Sequence, residues 1–425
     1  MTPSPAAALF RLAKNTGLVA LGTAMGHVFV LASTPFLSRL YSTDQFGELA
    51  LLLSISGIVL AAGCLRYEMA LPGAEERAAV PIFMLCGVIA ASLAILAFCA
   101  CFLPWHRWFD HPILQLIREP WLVAGLVVGT AMFQAVAAFL VREGRFAPLA
   151  ALRTSQGFLY AMLAILPLFG LLWSYVLSFL AGGLVLSGWV YWKHRAQTRS
   201  SSPGMLLATA RDYKRFPIYL LPGIVLDMVG LSVCVWIISA MYGLSQVGQY
   251  SQIQRLIGAP MLLISASLSQ AMLKHASDEQ RARRPVWPLV KNLALILGAC
   301  CLALLIVMFF FGSWGLHHFL GPKWRVDTFF VCIIALPVFV RSSVSPLSTV
   351  LITTGRLRHA LIWQVCFFVT SVSILPWLAA HTSFDRFLLG YAVHQCVLYL
   401  IYFLIIRHDS KVPGPSTELV SEPIE

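Results

Sequence analysis

The sequence predicts an all-α integral membrane protein of about twelve transmembrane helices, arranged as two six-helix lobes related by a parallel repeat. Three observations carry this. Of 425 residues, 59% are hydrophobic and 11% are charged, against roughly 25% charged in a soluble domain; one soluble core cannot bury that much apolar surface. The apolar runs are continuous over about 20 residues, the length that crosses a bilayer as a helix, and lack the alternation of a membrane β-barrel. A short motif also recurs half a chain apart.

The expected spans follow in order. Residues 17–38 and 46–65 flank a polar turn, Arg39 to Gln45. Nothing like a cleavage site follows the first apolar run, so it is expected to remain a helix. The third span, 79–103, ends where Pro104, Pro112 and Pro120 mark a loop with an interfacial turn. Spans 121–141, 149–171 and 174–192 come next, the last two nearly fused around Gly170 and Trp173. The connector 193–216 is the most basic stretch, flexible at Ser200–Gly204 and amphipathic from Met205 to Phe216, suited to lie on a membrane surface. The second half repeats the plan with spans 217–240, 247–272, 289–311, 328–352, 359–380 and 385–406. Residues 1–192 and 217–408 are the expected lobes, with 409–425 a polar, disordered tail. Twelve spans use about 240 residues, so no large extramembrane domain fits.

Basic residues orient the chain. With the N-terminus inside, 22 of the 30 Lys and Arg fall in cytoplasmic segments, six fall outside and two lie within helices. This places both termini in the cytoplasm. It also accounts for most of the net charge of +12, which reads as topology and attraction to anionic lipid rather than nucleic-acid binding. The ten cysteines sit mostly in apolar runs without a CxxC pair and read as small packing residues.

The repeat rests on two matches. Tyr41-Ser-Thr-Asp-Gln45-Phe-Gly47 corresponds to Tyr242-Gly-Leu-Ser-Gln246-Val-Gly248, an offset of 201. Gly144-Arg145 followed by Gln156 corresponds to Gly355-Arg356 followed by Gln364. Six helices per repeat is an even number, so both halves share one orientation, as in transporters with a site between their halves.

An ionisable group inside a span is costly and marks a candidate site. Asp227 is central in the seventh span, as a helix-pairing group or a site residue. Arg255 stands eight residues into the eighth span, roughly 12 Å deep; it either snorkels outward or faces a hydrated cavity and pairs with Asp227. Arg341 is central in the tenth, too deep to snorkel, with Pro346 close behind. His27 and His394 read first as packing histidines, and Gln134, Gln254, Gln364 and Gln395 as helix-to-helix hydrogen bonders. A cavity whose deep charges are mainly arginines suits an anionic substrate, phosphate above all. His27 and Gln254 join Arg255, Arg341 and Asp227 as candidate cavity residues. Arg39, Tyr41 and Tyr242, with Arg66 and Glu68 at the inner end of the second span, are candidate gate residues; Arg66 and Glu68 read equally as an interfacial anchor. No nucleotide-binding loop, protease motif or dense Cys/His cluster is present, so neither an enzyme nor a resident cofactor is expected.

RLYSTDQFGEL (Arg39 to Leu49) and RYEMALPGAEERAA (Arg66 to Ala79) resemble the opening of the Wzx-type O-antigen and exopolysaccharide flippases of the multidrug/oligosaccharidyl-lipid/polysaccharide (MOP) superfamily. FPIYLLPGIVLD (Phe216 to Asp227), GQYSQIQRLIGAPMLLISASLSQAM (Gly248 to Met272) and GRLRHALIWQ (Gly355 to Gln364) resemble its second half. The resemblance implies a V-shaped transporter working by alternating access in the bacterial cytoplasmic membrane. It implies an undecaprenyl-pyrophosphate-linked oligosaccharide as substrate, held in a cationic cavity while its tail stays in lipid. It implies polymerase and glycosyltransferase partners, and coupling to H+ or Na+ in some members. Arg255 fits the family's eighth-helix pattern; Asp227 departs from it, where Asn is more usual. The rival readings are a drug or cation antiporter of the same superfamily, a peptidoglycan-precursor flippase, which would carry two more helices, and a non-transporting scaffold of a glycan-assembly complex.

Overall fold

A computed structural model describes residues 5–107, 111–281, 284–354 and 356–411. Its described residues are helical and contain no strand. Twelve long helices follow the expected order: α1 Pro5–Leu40, α2 Thr43–Ala62, α3 Glu76–Ala100, α4 Pro120–Arg142, α5 Phe146–Ile165, α6 Gly170–Lys193, α7 Arg215–Tyr242, α8 Leu244–Arg281, α9 Trp287–Leu320, α10 Thr328–Leu351, α11 Leu357–His381 and α12 Phe384–Lys411. Ten are long and apolar enough to cross a bilayer over their described residues. Absent from those ten are α5, which carries Arg153-Thr-Ser-Gln156 mid-helix, and α8, whose first half carries Gln246, Gln249, Gln252, Gln254 and Arg255.

Local chemistry sets the ends. Ser42 caps α2 with a reciprocal pair of hydrogen bonds to Gln45. Asp327 caps α10 by accepting from the Phe330 amide. The connector is more ordered than its composition suggests. It forms two short helices, Arg195–Ser200 and Pro203–Asp212. Ser202 accepts from the Met205 amide and Pro203 takes the first turn, so the stretch expected to be flexible is a helix start. The Tyr67 hydroxyl donates to the Ala210 carbonyl at 3.1 Å, seating the second short helix against the 3-10 turn Tyr67–Gly73. The expected tail begins later than residue 409: α12 runs to Lys411, Asp409 and Ser410 are buried, and 412–425 lie outside the described residues.

Packing divides the chain into two compact units, Met1–Gly248 and Gln249–Glu425. The lobes expected from the repeat are a division by sequence; packing places α7 with the first unit because it lies along α2. There Trp236 Nε1 donates to Ser54 Oγ at 2.8 Å, and the Ser232 hydroxyl reaches the Ser54 carbonyl at 3.3 Å.

The first unit is held by small residues and aromatic rings, as suits helices that gain little from excluding lipid. Gly26 and Gly157 let α1 and α5 touch backbone to backbone: a Cβ at Gly157 would overlap the Gly26 carbonyl. Phe83, Phe139, Phe133 and Phe179 fill the space among α3, α4 and α6. In the second unit Trp363 of α11 stacks on Tyr402 of α12, centroids 4.0 Å apart, and donates to the Leu398 carbonyl at 3.0 Å.

Charged clasps close the ends of these bundles. Glu143, just past α4, accepts from Lys193 Nζ at 2.5 Å and faces His194 at 3.3 Å. Burial pushes this carboxyl up, but the hydrogen bonds from Lys193 and His194 outweigh it and hold Glu143 below the usual carboxylate range. In the second unit the buried Asp409 accepts from Arg356 and His359, both at 2.5 Å, tying α12 to the start of α11. Arg356 belongs to the second repeat match; its neighbour Gly355 lies outside the described residues.

Candidate functional site

The most polar of the twelve long helices carries the candidate site. α8 begins at Leu244, three residues before the expected start, so Arg255 lies about 16 Å along it at 1.5 Å per residue. Helical spacing puts Ser251, Gln252 and Arg255 on one face. The Nε and Nη2 atoms of Arg255 are buried without a hydrogen-bond partner among the described residues. These two atoms form the edge of the guanidinium that presents parallel N–H bonds to an oxyanion. Ser251 Oγ and Gln252 Nε2 are orphaned in the same way, and Gln252 is only 2% exposed. A buried, unmatched N–H on a charged group costs more than an ordinary lost hydrogen bond. Four unpartnered polar atoms on one helical face make this stretch of α8 the candidate contact for a polar ligand. Gln254 stands half-buried on the same helix.

Arg341 belongs to the same unit and lies mid-helix in α10. The residues after it are engaged: the Ser342 carbonyl accepts from Ser265 of α8 at 3.0 Å, and Ser343 Oγ meets Cys301 Sγ of α9 at 2.8 Å. The Arg341 side chain itself is exposed. Asp227 lies in the first unit, half-buried in the middle of α7 and engaged. His27 is half-buried and engaged on α1.

The two copies of the YxxxQxG motif meet inside the first unit. A Cβ at Gly47 would overlap the Leu244 carbonyl, and one at Gly248 would overlap the Thr43 carbonyl. Thr43 and Leu244 differ by 201, as do Gly47 and Gly248, so each copy presses its glycine on the other's helix start. Thr43 Oγ1 and Ser245 Oγ share a hydrogen bond of 2.8 Å at this seam. Tyr41 is buried beside it and donates to the Ala164 carbonyl at the end of α5, at 2.8 Å. Arg39 is exposed and donates to the Pro35 carbonyl at 2.6 Å; Tyr242 is half-buried.

At the other end of α2 the chain turns sharply. Leu65 and Arg66 both adopt the left-handed region, φ 49° and 67°, a strained conformation for residues other than glycine. Arg142 ties down the next turn by donating to the Ala74 carbonyl. Glu68 is 2% exposed and lies 3.6 Å from Arg66, an ion pair longer than a hydrogen bond. Burial pushes its carboxyl up, and Arg66 only partly offsets this.

One deep cation was counted by sequence with the loops. α5 starts at Phe146, and Arg153 lies about 10 Å into it. The signal was present: Gly144 takes a positive φ of 67° and ends the preceding turn, and Pro148 suits the first turn of a helix. Together they start α5 one turn earlier than its apolar run alone suggests.

Among the described residues no group of three or more His, Cys, Asp or Glu could hold a metal ion. The unpartnered atoms of Arg255 and Gln252 are nitrogen donors, which suit an anion; oxygens such as Gln246 Oε1 and the Glu68 carboxylate are unpartnered among the described residues as well.

Comparison with known proteins places the chain. Its fold matches an inward-facing multidrug resistance MATE family transporter of the MOP superfamily, with TM-score 0.67, 15% identity and coverage of 92% of this chain and 97% of the other. An outward-facing transporter of that family gives TM-score 0.56, 15% identity and coverage of 93% and 95%. The eukaryotic MATE transporter AtDTX14 gives 0.55, 15% identity and coverage of 95% and 97%. The architecture is therefore that of the MATE-type transporters. A search of curated proteins finds no match. The profile of the polysaccharide biosynthesis protein family matches residues 36–327, more than half of the chain, and the chain belongs to that family.

Proposed function

We propose that the protein flips a lipid-linked oligosaccharide carrying a diphosphate group across the bacterial cytoplasmic membrane, for the assembly of a surface polysaccharide. The observation that carries this is the buried, unpartnered two-donor edge of Arg255 within a membrane helix. An arginine edge of this kind matches a phosphate oxygen pair in geometry and charge. Arg341 supplies a second cation in the same unit. Membership of the polysaccharide biosynthesis family makes a sugar-bearing lipid the natural source of that phosphate. The reciprocal glycine seam at 43–47 and 244–248 is the contact that closes the outer side, with Arg39, Tyr41 and Tyr242 around it. Arg66 and Glu68 act at the inner side, where the substrate headgroup enters. Polymerase and glycosyltransferases are its working partners, and H+ or Na+ is the coupling ion if one is used.

The test is made in cells that depend on this protein for the polysaccharide. Arg255→Gln is expected to leave lipid-linked oligosaccharide accumulated on the inner leaflet, with Arg255→Lys partly restoring export. Normal export by Arg255→Gln at equal expression would remove Arg255 from the mechanism.

A further inference from the structure

The first unit contains a cation that the reading above does not use. Arg153 lies inside α5, about 10 Å from its first residue. Its Nη1 donates to Thr23 Oγ1 of α1 at 3.0 Å. Its Nε is buried without a hydrogen-bond partner among the described residues. The surroundings are closely packed. Gly22 is pressed against Ala150, Gly26 against the Arg153 carbonyl and Gly157 against Gly26. Thr154 Oγ1 donates to the Gly22 carbonyl at 2.9 Å, and Gln156 donates to Ser178 of α6 at 3.1 Å. His27 stands one turn beyond Thr23 on the same face of α1.

A guanidinium needed only to join α1 and α5 would be redundant here. The backbone contacts and the Thr154 hydrogen bond already fix this seam. Nor is Arg153 a relic of the repeat. The match that pairs Gln156 with Gln364 sets Arg153 opposite Leu361, so the second half has an apolar residue where the first has a charge. A charge kept in the bilayer at such a cost marks function rather than packing.

We propose that Arg153 forms a second anion subsite, in the α1–α5 seam of the first unit, that takes a phosphate group of the lipid-linked substrate. This rests on the flippase reading and adds to it a phosphate contact in the first unit, distinct from Arg255 in the second. Nη1 stays anchored on Thr23 and orients the plane; Nε, unpartnered and closed to solvent in this state, is the donor the ligand takes when the seam beside it loosens. A phosphate could also come from a phospholipid headgroup, so the test separates the two sources.

The full-length protein in nanodiscs of neutral phosphatidylcholine is titrated with farnesyl diphosphate, a short isoprenyl diphosphate. Parallel samples carry phosphatidylglycerol in the disc. Arg153→Gln is expected to weaken farnesyl diphosphate binding at least tenfold while the ligand-free melting temperature stays near wild type. Arg153→Lys should recover part of that loss, having the charge without the planar donors. If Arg153→Gln melts early, Arg153→Lys decides, and a severalfold loss of affinity supports the subsite. Wild-type affinity in the Arg153 variants, with binding still lost in Arg255→Gln, would overturn the subsite and leave the flippase reading standing. Phosphatidylglycerol displacing farnesyl diphosphate from wild type but not from Arg153→Gln, with farnesyl diphosphate affinity otherwise unchanged, would assign Arg153 to a structural lipid and also overturn it. No binding of farnesyl diphosphate by wild type would count against both readings.

Discussion

In the proposed function the substrate is held by a few charged side chains of the kind a bilayer excludes. Arg255 was legible in the sequence as the one charged residue inside its expected span, 247–272. Its unpartnered edge was not, since that depends on what surrounds it. Arg153 lies near the start of its expected span, 149–171, and was counted with the cytoplasmic basic residues; the helix begins three residues earlier, at Phe146, which sets Arg153 deeper. Glu68 is the residue whose energetics can be tested most simply. Burial raises its carboxyl above the usual range. Above that folded value the ionised group costs stability, and the cost fades as pH falls through it toward the unfolded value near 4.3. Glu68→Gln is therefore expected to melt at or above the wild-type temperature at pH 7, with the gap closing in acid. If transport falls as stability holds, Glu68 serves the substrate path. A clear drop in melting temperature at pH 7 would show instead that its pair with Arg66 is net stabilising.

At the scale of elements, hydropathy predicted the helices and their order, and glycine explains how they approach one another. The motif copies at 41–47 and 242–248 read from the sequence only as a repeat. In the structure each glycine packs on the other copy's first helical residue. A side chain there must displace backbone, so Gly248→Val is expected to cost about 1–3 kcal/mol, the usual penalty of overpacking, and to leave the seam unable to close. Cysteines at Thr43 and Ser245, whose hydroxyls are 2.8 Å apart, provide the complementary experiment in a background stripped of native cysteines. Cross-linking them should stop transport, and reductant should restore it. Undiminished transport by the cross-linked protein would mean that this seam does not open.

The clasp around Glu143 gives a prediction of opposite sign to that of Glu68. Its carboxyl is held below the ordinary range in the fold, so its contribution is complete above the unfolded value near 4.3 and is lost as pH falls through the folded one. Lys193 is 37% exposed, so the pair is worth about 0–1 kcal/mol. Glu143→Gln should lower the melting temperature slightly at pH 7, with the difference vanishing as pH falls through the folded value, as differential scanning fluorimetry would show. The connector is a further case where local chemistry overrides composition. Ser202 and Pro203 lie in a stretch of small polar residues that looks flexible, yet they are the cap and first turn of a helix.

For the whole molecule, composition and basic-residue counts were enough to predict a multi-span helical protein, and the MATE-type fold agrees with that. The net charge of +12 reads in the sequence mostly as a topology signal. On the proposed reading a few arginines bear on substrate, and which of them carry unpartnered donors became visible only with the packed helices. The repeat predicted lobes of six helices, whereas packing joins α7 and the first turn of α8 to the first unit. Sequence comparison cannot anticipate that, because it follows from Ser54, Ser232 and Trp236 meeting across helices far apart in the chain.

The central claim is that this protein moves a diphosphate-linked glycan lipid between leaflets. Its most direct test is a proteoliposome assay with a fluorescent undecaprenyl-diphosphate oligosaccharide placed in one leaflet and followed by its accessibility to a membrane-impermeant quencher. Wild-type protein is predicted to raise transfer well above protein-free vesicles, and Arg255→Gln to return it to that baseline. Equal transfer by wild type, Arg255→Gln and empty vesicles would contradict the claim.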